Sequence, residues 1–397
     1  MIYKKYIFYK SITALAILLL TLLVTACNPN FSSMAERRVD IARKNMGVIK
    51  IVAIKTLKNS NYIKGVLLAE KEINERSNKL IGRILKVEVI DDGKTFEDVK
   101  YTIRRIVSDP RVTAVLGHRS SSIAIPASVI YELSQVIFMP SFSTGKALTG
   151  HNFKYLFRMA PNSKIMAEQM ASAAHTLGYK KIALFYGRDD LNRELTFLFE
   201  KAAIQNGIEI VNRSSFFEKE SNYRPIISQI SDLKVDAILV SSNAKSSGRM
   251  IRQLREMGIM QPILGNDSFY HEDFIKEAGE TASENVIAPA LYNPKSNHTN
   301  INHKFISNYK KTYAVTPDFN AAQGYDSLML MAKAIELTGS TLPSALTSTL
   351  HYMPAWVGVT GLHSFDEYGE LQGKKYVFSV RKNKECIIYL HFMHPTY

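Results

Sequence analysis

Two cysteines, 20 glycines, 13 prolines and one tryptophan among 397 residues exclude several structural classes at once. Two cysteines cannot build a disulfide framework. Gly and Pro are too sparse and too irregular for a collagen-like chain, no heptad persists, and 22% charged residues alongside many Tyr and Phe argue against disorder. Long apolar runs are scarce too. The strongest, residues 12–24, counts about 13 residues, or about 17 with the flanking residues 6–9, short for a membrane span of roughly 20. What remains is an ordinary globular composition, 46% apolar, and a length that suggests two or three domains at roughly 100–200 residues each.

The apolar run sits where an export signal would. Lys4, Lys5 and Lys10 precede it and small residues follow it, up to Cys27. Val24-Thr25-Ala26-Cys27 resembles a bacterial lipobox, which implies cleavage before Cys27 and acylation of that residue; an uncleaved anchor is the alternative. Asn28, where aspartate would signal inner-membrane retention, leans towards the outer membrane. Removing residues 1–26 deletes three lysines and no acids, so the 50 basic and 36 acidic residues become 47 and 36, a net +11. The basic residues are spread over helical stretches with acids between them, so no nucleic-acid partner is expected. Cys386 is then the sole free cysteine, expected to be a buried thiol.

Residues 28–47 are polar and read as a tether. Beyond them short β-branched runs alternate with helical patterns: strands at 49–54, 85–90, 113–116 and 136–139, helices at 62–75, 96–107 and 121–133. A second series starts after Pro161, with strands at 182–186, 209–211, 237–240 and 263–264 and helices at 163–177, 190–205, 225–233 and 246–257. Helical patterns return at 303–313 and 321–337, and 376–380 and 386–389 read as strands. Such alternation predicts parallel βαβ units in two α/β lobes, and the absence of a long Gly/Ser linker predicts short crossing segments that act as a hinge.

In open α/β sheets ligands sit beyond the carboxyl ends of strands. Two loops there stand out: Gly117-His118-Arg119-Ser120-Ser121-Ser122, opening into a helix, and Pro140-Ser141-Phe142-Ser143-Thr144-Gly145. Free backbone N–H groups at a helix start and short hydroxyls suit a carboxylate or another small anion. Plain N-capping by serine is the competing explanation.

At these loops the chain resembles the type I periplasmic solute-binding proteins of the branched-chain amino acid transport family. The matching stretches are Lys64-Gly65-Val66, Glu72-Ile73-Asn74, Ile81-Gly82-Arg83, Asp91-Asp92-Gly93, Ala114-Val115-Leu116-Gly117-His118, the serine run 120–122, Pro140-Ser141-Phe142-Ser143-Thr144, Gly265-Asn266-Asp267, Gly324-Tyr325-Asp326, Gly358-Val359-Thr360-Gly361 and Phe365-Asp366. The likeness runs from about residue 48 to 381. It implies a two-lobed clamp, each lobe a parallel-sheet α/β sandwich, that closes on a small solute and presents it to an ABC-type permease from a lipid-anchored position in the periplasm. It also implies residues 48–158 plus about 290–350 for the first lobe and 159–289 plus about 351–397 for the second, after a leader at 1–26 and an acylated tether at 27–47. By position, Ser120, Ser121, the backbone of Phe142, Ser143 and Thr144 would hold a carboxylate and Asp267 an ammonium group, unless Asp267 is only a turn or cap residue. Tyr186 and Tyr325 stand where aromatic walls are plausible, with core packing as their alternative role.

Two places depart from the family pattern. The loop Lys58-Asn59-Ser60-Asn61-Tyr62 is short and polar, and Ser241-Ser242-Asn243 follows a strand where an aromatic or glycine is usual. An amide or urea-like solute therefore fits as well as an aliphatic amino acid. Other chemistry falls away: Gly93-Lys94-Thr95 lacks the first glycine of a phosphate loop, since position 88 is Glu88. Asp91-Asp92-Gly93 lacks the ligands of a calcium loop. Cys386, His391 and His394 lack a fourth metal ligand, and no nucleophile elbow surrounds Ser120. Neither cofactor nor enzymatic activity is expected. An interaction protein that regulates a cell-envelope enzyme or feeds a sensor is the alternative to uptake.

Overall fold

The computed structural model describes residues 33–55, 61–93, 95–294, 299–382 and, by backbone alone, 385–390. Cys27, residues 58–60 of the short polar loop, His391 and His394 lie outside the described residues, and Cys386 falls in the last strand. Among the described residues no helix is long and apolar enough to cross a membrane.

The first lobe is built on a parallel sheet of β1 (Ile49–Lys55), β2 (Leu85–Asp91), β3 (Val112–Leu116) and β4 (Ile137–Met139), in the order β2-β1-β3-β4. Strands covered on both faces need apolar residues at successive positions, and β1 supplies them. Ile49, Ile51 and Ala53 enter one core cluster, while Val52 and Ile54 enter another on the opposite face. Helices Phe96–Val107 and Ser121–Leu133 cover that second face; Asn61–Asn74, Asn300–Tyr313, Phe319–Thr338 and Pro343–Tyr352 cover the first. Helices Asn61–Asn74 and Phe319–Thr338 approach so closely that a Cβ on Gly65 would lie 1.9 Å from the Ala321 carbonyl oxygen, and one on Gly324 2.1 Å from that of Tyr62. Only glycine fits at either contact.

The second lobe holds β5 (Lys181–Gly187), β6 (Glu209–Phe216), β7 (Ala237–Ser241), β8 (Ile263–Gly265) and β9 (Val286–Ala290), all parallel. The chain then returns to the first lobe for the helices above and for β10 (Trp356–Gly358), β11 (Gly361–Phe365) and β12 (Leu371–Gln372), a small antiparallel sheet. Finally β13 (Val377–Lys382) and β14 (Glu385–Leu390) extend the second sheet antiparallel, giving β14-β13-β9-β8-β7-β5-β6. The lobes are thus joined by three short crossings, at residues 158–162, 291–292 and 373–376.

Two boundaries differ from the sequence reading. Part of the expected tether is the helix Met34–Lys44, started by a capping box between Ser33 and Glu36. It is docked by buried Arg38, which donates to the carbonyls of Val107, Val112, Asp109 and Ser134. The residues 356–372, expected in the second lobe, pack on the first because Val359, Phe365 and Leu371 are buried in its core. Helices Pro343–Tyr352 and Glu272–Ala278 and strand β9 had no clear sequence signal.

Candidate functional site

Both expected loops follow strands of the first sheet and meet at its carboxyl edge. Gly117 follows β3 with φ +121°, and a Cβ there would come within 2.8 Å of Ile54, so the sharp turn needs glycine. Its neighbour His118 points away into the core, 3.0 Å from Asp92 Oδ1 and 2.9 Å from the Tyr131 hydroxyl.

Ser120 occupies the N-cap of helix Ser121–Leu133, yet its side chain makes no capping bond. Its Oγ pairs instead with Ser122 Oγ at 2.7 Å. The Ser121 hydroxyl accepts from the Gly145 amide at 3.2 Å and so stitches the two loops together. Ser143 is buried, its Oγ donating to the carbonyls of His118 and Arg119. Thr144 uses its carbonyl to accept from the Ser163 amide and hydroxyl, and its side chain faces the space between the lobes.

That space is an open cleft of about 650 Å³. The first lobe contributes Gly93, Arg119, Ser120, Ser121, Ile123, Phe142 and Thr144; the second contributes Leu191, Asn243, Ala244, Lys245, Asp267, Ser268, His271 and Asp273. Behind it a narrow crevice runs between Phe142, Thr144 and Phe319 on one side and Asp267, Leu291 and Tyr376 on the other. Phe142 stands edge-on to Tyr62 and Phe319, with ring centroids 5.4 and 5.8 Å away, which fixes its plane.

Asp267 follows β8, at the start of a single 3-10 turn. The capping oxygen of that turn belongs to Asn266, which accepts from the Ser268 amide at 3.0 Å. Asp267 is therefore not the cap. Burial raises its carboxyl from the ordinary aspartate value, and the positive charge of Arg119 across the cleft acts in the opposite direction. Arg119 is the counterpart: burial lowers its guanidinium, while Asp267 and Asp318 raise it.

Several expected residues are not in the cleft. Tyr325 is a core residue, its ring 4.8 Å from that of Phe305 and its hydroxyl donating to Glu72 Oε2 at 2.8 Å. Tyr186 lines a separate depression on the second lobe with Arg193, Phe197 and Arg213. At the end of β7, Ser241 and the following Ser242 are buried and tied to Asn192 and Glu218 respectively. Asn243 caps helix Ala244–Glu256 and lines the cleft. Sequence reading passed over Arg119, Lys245, His271 and Asp273. Arg119 was visible as a basic residue inside a loop already marked for anion binding; the other three gave no signal.

Under the site lies a buried polar layer. Arg158, fully buried at the first crossing, donates from Nη1 to the Ser143 carbonyl at 2.9 Å and from Nη2 to the Gly145 carbonyl at 2.8 Å and Thr149 Oγ1 at 3.1 Å. Its Nε lies 3.2 Å from Glu370 Oε2. At the third crossing buried Lys374 donates to Thr360 Oγ1 at 2.7 Å and to His363 Nε2 at 2.9 Å. The His363 Nδ1 faces the Gly361 carbonyl at 3.0 Å, which assigns the proton to Nδ1 and leaves Nε2 as acceptor. Asp326 accepts from the amides of Val359 and Thr360 at 2.9 and 2.7 Å. Burial lowers Lys374 to about 7, against the opposing charge of Asp326.

Residues 58–385 match the family described as periplasmic binding protein. Among curated relatives, an amino acid binding protein of Pseudomonas aeruginosa is 21% identical over 322 residues, 80% of this chain and 84% of its own length. A leucine-, isoleucine-, valine-, threonine- and alanine-binding protein of the same organism is 23% identical over 321 residues, 80% and 83% of the two chains. Among solved structures, an ABC transporter substrate-binding protein from Desulfitobacterium hafniense in complex with Leu superposes with a TM-score of 0.78 at 26% identity, covering 86% of this chain and all of its own. The branched-chain amino acid transporter substrate binding protein of Streptococcus pneumoniae, in complex with isoleucine, reaches 0.77 at 22% identity, covering 85% and 97%.

Proposed function

This chain belongs to the periplasmic binding protein family, and from that premise we propose that it clamps a small amino acid or amide-like solute between its lobes and delivers it to an ABC-type permease. The observation that carries the reading is the pairing, across one cleft, of the loops holding Ser121 and Thr144 with the carboxylate of Asp267. A zwitterion needs acceptors for its ammonium and donors for its carboxylate at a separation of a few ångström, and the two lobes offer one set each. The names of the relatives, which bind Leu, Ile, Val, Thr or Ala, support an amino acid. The three short crossings support closure, in which contacts available only in the closed form shift the population towards it.

The proposal includes the anchor. Cys27 carries the acyl chains, which hold the protein to a membrane of the cell envelope, the outer one by the reading of Asn28; two or more chains at about 0.8 kcal/mol per CH2 make such attachment stable. Melting curves of the protein with each amino acid, and scattering with the one that raises the melting temperature most, test the clamp. A radius of gyration that falls on saturation is the expected result; no stabilisation by any amino acid or amide refutes it. A fatty-acid probe that labels wild type but not Cys27→Ser tests the anchor.

A further inference from the structure

We infer that Arg119 is the ligand's carboxylate partner and that it selects carboxylates over neutral amides and ureas; this rests on the solute-binding reading above. Arg119 is a half-buried cation in the wall of the cleft. Its guanidinium lies 4.5 Å from the centroid of the Phe142 ring, the arrangement of a cation on an aromatic face. A single contact fixes its rotation, Nη1 donating to Asn320 Oδ1 at 3.1 Å. Asn320 is itself held, its Nδ2 3.3 Å from Asp318 Oδ2, and Asp318 caps helix Phe319–Thr338 and accepts from Asn61 Nδ2 at 2.9 Å. The guanidinium is thus held by half-buried groups of the first lobe, not left to swing.

What it lacks is a partner for its other donors. A guanidinium carries five N–H groups, and among the described residues only the one bond to Asn320 is made. Asp267 faces it from the second lobe and interacts with its charge, yet no contact ion pair joins the two. A planar, pinned donor fork with free N–H groups is the geometry that takes a carboxylate through two parallel bonds. A neutral amide offers one acceptor oxygen and would leave the charge unpaired in a poorly solvated wall. Ser121 and Thr144 border the same space, so the carboxylate of an amino acid can rest on Arg119 and the loops while its ammonium meets Asp267. Placed between them, a zwitterion completes an ion pair that the two lobes leave open.

The experiment titrates the full-length protein in detergent with the twenty amino acids and with the carboxamides of those that bind, by calorimetry, with melting curves on the same samples. Wild type is expected to bind the best acid at least 10-fold tighter than its amide. Arg119→Met should weaken the acid by about 10- to 100-fold, the worth of a charge-assisted hydrogen bond, and reduce the acid-to-amide ratio below about 3-fold. Arg119→Lys should keep part of that ratio. Asn320→Ala, which frees the guanidinium without removing it, should lower acid affinity several-fold with amide affinity unchanged, and keeps the test open if Arg119→Met fails to fold. An unchanged acid-to-amide ratio in Arg119→Met, or in Asn320→Ala where the former does not fold, overturns the inference. Wild type that binds amides or urea in preference to acids overturns it while leaving the solute-binding reading intact; binding of neither class overturns both.

Discussion

Arg119 and Arg158 flank the loop at residues 140–145 and differ in what their nitrogens touch. Arg158, below the loop, spends its guanidinium on the carbonyls of Ser143 and Gly145, on Thr149 and on Glu370. Arg119, above it, makes one bond to Asn320 and leaves its remaining donors towards the cleft. Both are cations taken partly or wholly out of water, and burial lowers the pKa of both. The difference teaches that burial of a charge does not separate scaffold from site, whereas the accounting of its donors does. Arg158 shapes the loop that Arg119 works beside.

The comparison breaks most visibly at Arg158. Replacing it with Met strands two backbone carbonyls and the Glu370 carboxylate, and loss of one member of a buried pair costs about 3–5 kcal/mol; denaturant melts should show that loss whether or not ligand is present. In the cleft the pattern inverts. Asp267→Ala should cost about 2–5 kcal/mol of affinity for the amino acid that best stabilises wild type, because it leaves a desolvated ammonium unpaired, while the ligand-free melting temperature changes little. Calorimetry beside melting curves separates the two, and a stability loss without an affinity loss would move Asp267 to the scaffold. Thr144→Ala should cost about 1.5–3 kcal/mol of affinity, one hydrogen bond to a charged group; an unchanged Kd removes Thr144 from the site.

The buried layer can also be tested through pH. In the folded chain Lys374 releases its proton near 7, whereas in the unfolded chain it does so at about 10.4. Between those values unfolding takes up a proton, so raising the pH makes unfolding harder. The stability of wild type relative to Lys374→Met should therefore rise from about pH 7 to 10 and be flat just below 7. Urea midpoints at half-unit steps measure it, and parallel curves for the two proteins would show that Lys374 does not titrate in the buried layer.

The alternation of strands and helices was legible because strands covered on both faces must be apolar at every position, and helices 96–107, 121–133 and 190–205 end where their patterns end. The docked helix at 34–44 was not: charged residues dominate its sequence, and what ties it down is one arginine bonded to carbonyls remote in sequence. In the site, the serine run and the Ser-Thr loop were legible as helix-start and hydroxyl chemistry. Tyr325 was misplaced because Gly324-Tyr325-Asp326 belongs to packing, with Gly324 against Tyr62, Tyr325 on Glu72 and Asp326 holding the turn at Val359 and Thr360. A motif carried by a whole family marks fold and function alike, and only geometry divides them. Lys245, His271 and Asp273 reach the cleft through the arrangement of two lobes, which no local pattern encodes.

The attachment made by Arg38 sets a direction. Val112 opens β3 and Ser134 precedes β4, so the helix Met34–Lys44 is fastened at the amino ends of the strands, the edge of the first sheet remote from the cleft. Under the proposed acylation of Cys27, only residues 28–32 would separate lipid from helix cap, a leash of at most about 20 Å at full extension. A lobe tethered in that way would be moored by its closed pole, with the mouth of the cleft turned away from the membrane. Were that membrane the outer one, such a body would look inward across the periplasm, towards the bilayer in which a permease would wait.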